Sequence, residues 1–375
     1  MPAFALYRLP HQTGCQLVIQ SEGEPEELQT AFALSGKKGF VIAPFMIEKS
    51  HPVLLLRPDV NVSLSPEDLL DAETCSWAGQ IQDVLSAPKQ DEKAKRASYT
   101  HYAIDFANFH SHIIEGEFSK IVLARCSYES NPEGYSALQL FVSACQAYPR
   151  MFVALVSAHR CGTWLMATPE VLLKGSGLHW STMSLAGTMV LRDDQLDFDN
   201  PPSPKPHDSQ EIAWNIKNIQ EQRYVSTYIT ERLEQVASFI EEKGPYTMRA
   251  GNLVHLRSDF SFVLPSLSKV GELIHALYPT PAVCGLPKDA ARDFIIHNEF
   301  TPRGYYSGFV GPLDPEVDTQ LFVSLRCMRF VEDGCCLYAG GGLLADSDMA
   351  TEWKETEDKM MTMRTLLHPN ETSKR

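Results

Sequence analysis

The chain lacks paired cysteines. Its nine are scattered, only Cys335 and Cys336 adjoin, and no CxxC or Cys/His cluster occurs in 375 residues. That spacing indicates neither a zinc site nor a disulfide framework and leaves reduced thiols, as in cytoplasmic proteins, as the expectation. No run of about 18 uninterrupted apolar residues, the length that crosses a bilayer, is present. The opening MPAFALYRLPHQTG has no basic segment followed by an apolar one. A soluble cytoplasmic protein without membrane contact is expected. Positive charge is also short: 33 Lys and Arg against 47 Asp and Glu leave a net charge of −14. That balance argues against nucleic acid as a partner, because such binding relies on basic patches that displace phosphate counterions. A small anionic substrate would need locally concentrated cations or a metal to overcome the same field.

What is there is ordinary globular composition, 44% hydrophobic and 21% charged, enough for one large domain or two smaller ones. In the first hundred residues CQLVIQ, GFVIAPF and HPVLLLRPDVNVSL read as strands of an antiparallel sheet. YAIDFANFHSHIIEGEF and SALQLFVSACQAY have helical spacing, while KIVLARCSYE, MFVALVSA, TWLMA and VLLKGSGLHWSTMSLAGT have strand character. RDDQLDFDNPPSPKPHDS is a surface loop by composition. The stretch from Ser209 to Gly244 has the period of one long amphipathic helix. Strands and helices without regular βαβ alternation imply an α+β fold with mainly antiparallel sheets and helices on their outer faces.

The C-terminal TEWKETEDK places Glu352, Glu355 and Lys359 three and four residues apart, on one helical face, just after the glycine run Gly340, Gly341, Gly342. Two carboxylates behind a backbone that allows close approach suit a hard divalent cation such as magnesium. The plain alternative is a solvated helix with ordinary charge pairs. Lys120 opens the strand KIVLAR beside apolar neighbours, where desolvation favours the neutral amine that a general base needs; a strand-end lysine in water is the other reading. Glu170, between Pro169 and an apolar strand, is placed either to stay protonated as a general acid or to sit at a sheet edge. Gly187 and Thr188 offer a close backbone approach and a hydroxyl. Glu221 pairs with Lys217 at i,i+4 or serves as a metal ligand. Arg326, in the apolar strand LFVSLRCMRF, requires an anion, internal or bound.

Together FSKIVLAR, ATPEVLL, SLAGT, WNIKNIQEQ, YPTPAVCGLPKDAA, FTPRGYYSGFVG, VSLRCMRF, YAGGGLL and TEWKETEDKMM resemble, in order and approximate spacing, the chorismate-utilising enzymes, most closely the isochorismate synthases. The resemblance implies two large facing antiparallel β-sheets with helices outside, the fold of anthranilate synthase component I. It treats residues 1–100 as a variable N-terminal part of that fold, 101–365 as the chorismate-binding catalytic region and 366–375 as a disordered tail. It implies that Lys120 activates water for attack at ring carbon two and Glu170 protonates the hydroxyl leaving carbon four. Glu221 and Glu355 would ligate magnesium, with Glu352 supporting it. Gly187, Thr188 and the Gly340–Gly342 backbone would hold the ring carboxylate, and Arg326 and Lys359 the enolpyruvyl carboxylate, with Tyr306 lining the pocket. Lys120 implies water rather than ammonia as nucleophile, so no amidotransferase subunit is expected. A salicylate synthase with an isochorismate pyruvate-lyase step, or a chorismate-binding protein without turnover, are the alternatives. Three positions depart from the family: Tyr278 for histidine or glutamine, Gly341 for alanine and Met349 for proline.

Overall fold

A computed structural model describes residues 2–70, 77–86, 97–131, 134–190, 214–250, 253–332 and 334–369. The N-terminal part supplies strands β1 (Ala3–Arg8), β2 (Cys15–Gln20), β3 (Glu26–Leu28), β4 (Gly39–Ala43), β5 (Val53–Leu56) and β6 (Val60–Leu64). Next come α1 (Ala78–Ser86), α2 (Tyr99–Ile114), β7 (Lys120–Ser130), α3 (Ala137–Ala147), β8 (Phe152–Ala158), β9 (Gly162–Thr168), β10 (Val171–Ser176) and β11 (His179–Val190). The remainder is α4 (Ile216–Val236), β12 (Ser238–Ala250), β13 (Leu253–Val263), α5 (Val270–Leu277), β14 (Gly285–Leu286), α6 (Lys288–Asn298), β15 (Phe309–Leu313), β16 (Thr319–Val323), β17 (Cys327–Val331), β18 (Gly334–Leu343) and α7 (Met349–Leu367).

These strands form two nine-stranded sheets, in the orders β14-β7-β18-β17-β9-β8-β1-β2-β6 and β12-β13-β11-β10-β16-β15-β4-β5-β3. The N-terminal strands are divided between them, so the first hundred residues complete both sheets. The sheets face each other. Phe152 of β8 stacks on Phe322 of β16 with centroids 4.1 Å apart, and Tyr7 of β1 meets Phe40 of β4 at 5.2 Å. Strand β8 shows why its sequence is apolar at every position but one: Phe152, Ala154 and Val156 enter the layer between the sheets, while Val153 and Leu155 face helices α3 and α7 outside. Each large side chain so buried contributes roughly 1.5–3 kcal/mol. On the other outer face α4 and α5 bring Val225, Ile229, Leu233, Leu273 and Ile274 onto the second sheet. The expected α+β architecture of two facing antiparallel sheets with external helices is the one observed.

The helix starts obey local chemistry. Ser98 and Ser136 cap α2 and α3 with reciprocal bonds to His101 and Gln139, Asn215 accepts from Asn218 N–H at the start of α4, and Asp348 accepts from Thr351 N–H at the start of α7. The long helix expected from Ser209 to Gly244 is shorter. It ends at Val236, Ala237 turns extended, and Ser238–Ala250 becomes β12, paired with β13 at the sheet edge. Glu241, Glu242 and Lys243 suit a helix by propensity, but strand pairing overrides it, and charges on an edge strand discourage further pairing. The disordered tail expected from residue 366 also starts too early, since Leu366 and Leu367 belong to α7 and are buried; residues 370–375 lie outside the described residues. The Pro-rich loop falls within 191–213, outside them as well.

Candidate active site

The glycine run on β18 is central to its sheet, with Gly340, Gly341 and Gly342 opposite Ala124, Leu123 and Val122 of β7. Alternation turns successive positions to opposite faces. A Cβ on Gly342 would lie 2.3 Å from Glu221 Oε1 and 2.9 Å from Lys120 Cε; one on Gly341 would lie 3.0 Å from Glu352 Oε2 and 3.9 Å from Glu355 Oε1. The glycines therefore make room for carboxylates from two helices, α4 and α7. Alanine at 341 would press on Glu352 Oε2, which would have to give by a few tenths of an ångström.

Each carboxylate meets a lysine. Lys120, fully buried at the start of β7, lies 2.9 Å from Glu221 Oε1. The approach is off the line a hydrogen bond needs, and Lys120 Nζ has no hydrogen-bond partner among the described residues. Lys217 binds Glu352 Oε1, which also accepts from Ser347 Oγ at 2.8 Å, while Oε2 is buried without a hydrogen-bond partner among the described residues. Lys359 Nζ is 2.7 Å from Glu355 Oε1 and donates to Gly340 O at 2.9 Å. The i,i+4 pairing of Lys217 with Glu221 is thus replaced by two cross-element pairs. Burial pushes Glu221 up, but Lys120 and then Lys359 outweigh it and hold its carboxyl below the ordinary range. Glu352 goes the other way, raised to about 7 by burial and by Glu355.

Beside this cluster opens a cleft whose lining includes Glu170, Gly187, Thr188, Glu221, His255, Tyr306, Arg326, Gly340, Gly342 and Lys359. Lys120, Gly341, Glu352 and Glu355 stand behind that lining. Glu170 sits between β9 and β10, and burial raises its carboxyl to about 8, so it is protonated at neutral pH. Gly187, at φ +72°, forms a bulge in β11, and its N–H donates to Glu221 Oε2 at 3.2 Å. Arg326 links β16 to β17 at φ +46°. It is buried, yet among the described residues it has no carboxylate partner; NH1 donates to Thr362 Oγ1 at 3.3 Å and NH2 to His255 Nε2 at 3.0 Å. Burial lowers it to about 10, still charged at neutral pH. Tyr306 stacks on Tyr338 at 5.5 Å beneath the cleft.

His255, on β13, carries no signal of its own in the sequence; only the register of β13 against β11, which sets it opposite Thr188, brings it here. Tyr278 does not line the cleft, because its hydroxyl is tied to the carbonyls of Pro44 and Phe45. Met349 is the first residue of α7 and packs beside Trp353 against the α2–α6 cluster.

Two facing sheets and a cleft that sets buried cations beside a protonated carboxyl are the marks of an enzyme for a small anion. The chain belongs to the chorismate binding enzyme family, which it matches over residues 17–368. It is 30% identical over 368 residues to isochorismate synthase DhbC of Bacillus subtilis (strain 168), covering 93% of this chain and 88% of that one. It is 30% identical over 258 residues to isochorismate synthase MenF of Escherichia coli (strain K12), covering 68% of this chain and 57% of that one. The fold matches the structure of MenF from Escherichia coli with TM-score 0.73 at 22% identity, covering 98% of this chain and 89% of that one. Anthranilate synthase component I from Streptococcus pneumoniae TIGR4 shares it at TM-score 0.65 and 16% identity, over 97% of this chain and 90% of that one.

Proposed function

We propose that the protein is an isochorismate synthase, which adds water at ring carbon two of chorismate and expels the hydroxyl at carbon four. The observation that carries this is Glu170: a buried carboxyl raised to about 8, in one cleft with Arg326 and Lys359, is an acid poised beside an anion site. The names of the curated relatives support the same activity.

Arg326 and Lys359 bind the enolpyruvyl carboxylate, and Arg326 has a guanidinium edge to offer because no acid among the described residues forms a salt bridge with it. The ring carboxylate lies toward Gly187, Thr188 and the Gly340–Gly342 backbone, with Tyr306 beneath. Lys120, acting as its neutral amine, takes a proton from water as the oxygen bonds to carbon two and becomes the ammonium that faces Glu221. The diene shifts, the bond from carbon four to its hydroxyl breaks, and Glu170 gives that oxygen the proton with which it leaves as water. Glu221, Glu352 and Glu355 would offer magnesium the oxygen ligands it prefers, and Glu352 Oε2 has no hydrogen-bond partner among the described residues. Each carboxylate faces a lysine here and their oxygens do not converge within 4.8 Å, so holding the ion would require them to draw together. Magnesium held there would supply positive charge to the ring carboxylate. Water as nucleophile leaves no role for an amidotransferase partner, and the cytoplasm is the compartment proposed.

The test is incubation with chorismate and magnesium, with and without chelator, and chromatographic separation of isochorismate, salicylate and pyruvate. Magnesium-dependent isochorismate without stoichiometric pyruvate is expected. Salicylate with pyruvate would assign a salicylate synthase instead, and bound but unconverted chorismate a binding protein.

A further inference from the structure

We propose that His255 is a positioning residue that aims Arg326 into the cleft by accepting a hydrogen bond from its guanidinium. The inference rests on the function proposed above for its kinetic consequence, but not for its structural one.

Both ring nitrogens of His255 are committed. Nδ1 lies 3.1 Å from the carbonyl oxygen of Gly187 and 3.3 Å from Thr188 Oγ1, and Nε2 lies 3.0 Å from Arg326 NH2. A carbonyl only accepts and a guanidinium only donates, so Nδ1 carries the proton and Nε2 offers the lone pair. Neither the other tautomer nor the imidazolium satisfies both contacts. The surroundings agree: burial, then Arg326 and Lys359, hold the imidazole well below its usual range and keep it neutral.

Arg326 needs such a holder. It stands in the left-handed region at a strand-to-strand link, and its only other side-chain hydrogen bond among the described residues is the 3.3 Å contact to Thr362. A buried guanidinium waiting for an exogenous carboxylate must be held by a group that does not neutralise it. An aspartate there would occupy the fork, whereas a neutral imidazole takes one N–H and leaves the remainder for the ligand. His255 also grips the bulge whose Gly187 N–H reaches Glu221, so one side chain sets the spacing between the anion-binding arm and the carboxylate cluster. The plain reading, a core histidine satisfied by chance, predicts effects on stability alone.

The test is a three-way comparison. His255→Asn keeps a donor where Nδ1 stood but does not reach Arg326; His255→Gln places an amide oxygen where Nε2 stood. A lost hydrogen bond to a charged group corresponds to roughly ten- to a hundredfold. The expected result for His255→Asn is a KM for chorismate raised by about that factor with kcat within about threefold, and recovery of most of it in His255→Gln. In an Arg326→Met background His255→Asn should add nothing further. An unchanged KM in His255→Asn, or an equal effect in the Arg326→Met background, overturns the proposal. Selective 15N-histidine NMR of the wild type supplies a readout free of substrate, with His255 assigned by its disappearance in His255→Asn. A protonated Nδ1 and bare Nε2 between pH 6 and 8 are expected; a protonated Nε2 overturns the proposal even if turnover is normal. Failure of the wild type to make isochorismate would instead refute the function and leave the NMR result standing.

Discussion

Replacing Glu170 by glutamine separates two consequences of burying its carboxyl. The folded-state value, about 8, lies above the ordinary 4.5, so the folded protein holds this proton more tightly than the unfolded chain does. The associated stabilisation is complete below about pH 4.5 and is lost as the pH rises toward 8. A displacement of that size corresponds to about 5 kcal/mol above pH 8 and about 3 kcal/mol at pH 7. Glutamine has the same shape and does not ionise, so Glu170→Gln should be no less stable than wild type near pH 5 and progressively more stable toward pH 8. Urea unfolding midpoints at pH 5, 6.5 and 8 measure this. The amide cannot deliver a proton, so turnover of chorismate should fall by roughly 10²–10⁴-fold at pH 7. Wild-type activity itself should decline as the pH rises through about 8, where the acid loses its proton. A variant with wild-type turnover refutes the acid role, and stability profiles that run parallel refute the raised carboxyl.

Lys120→Met removes the amine beside Glu221; turnover should drop by about 10²–10⁴-fold, and the buried carboxylate left without that cation should cost roughly 3–5 kcal/mol by urea unfolding. Retained activity would remove the base assignment. Gly342→Ala puts a methyl 2.3 Å from Glu221 Oε1 and 2.9 Å from Lys120 Cε, so activity should fall on the order of a hundredfold while stability changes by about 1–3 kcal/mol; wild-type kinetics would show that neither side chain needs its observed position. Exhaustive chelation should abolish chorismate turnover and added magnesium restore it; activity undiminished by chelation would remove the metal from the proposal.

What the sequence discloses is what is local. ExxExxxK spacing on α7 and the glycine run are neighbours along the chain, the apolar start of β7 is a run of its own, and the faces of all three follow from helical and strand periods. Partnerships that depend on tertiary register are hidden. Lys217 looks like the helical partner of Glu221 but crosses 135 positions to Glu352, and His255 becomes a cleft residue only through β13 packing beside β11. The end of α4 is hidden for the same reason: the EEK segment prefers helix in isolation and becomes strand because β13 is there to pair with it. Even Arg326, legible as a cation in an apolar strand, gives no hint that its holder is an uncharged ring.

The division of the N-terminal strands between the two sheets has a consequence for the order in which the chain becomes a protein. Strand β4 pairs with β15, Ala43 opposite Phe309, and β1 pairs with β8, Phe4 opposite Ser157, so neither sheet closes until chain made much later arrives. Strand β18 fills the gap between β7 and β17, and α7 follows it as the last element described. During synthesis, therefore, the glycine run and the α7 carboxylates emerge after every other described strand, and the sheet that holds them is continuous only once they have arrived. A chain stopped before β18 would have Lys120, Glu170 and Arg326 in its sequence but no floor on which to assemble them, which makes the insertion of β18 between β7 and β17 the step that creates the catalytic centre.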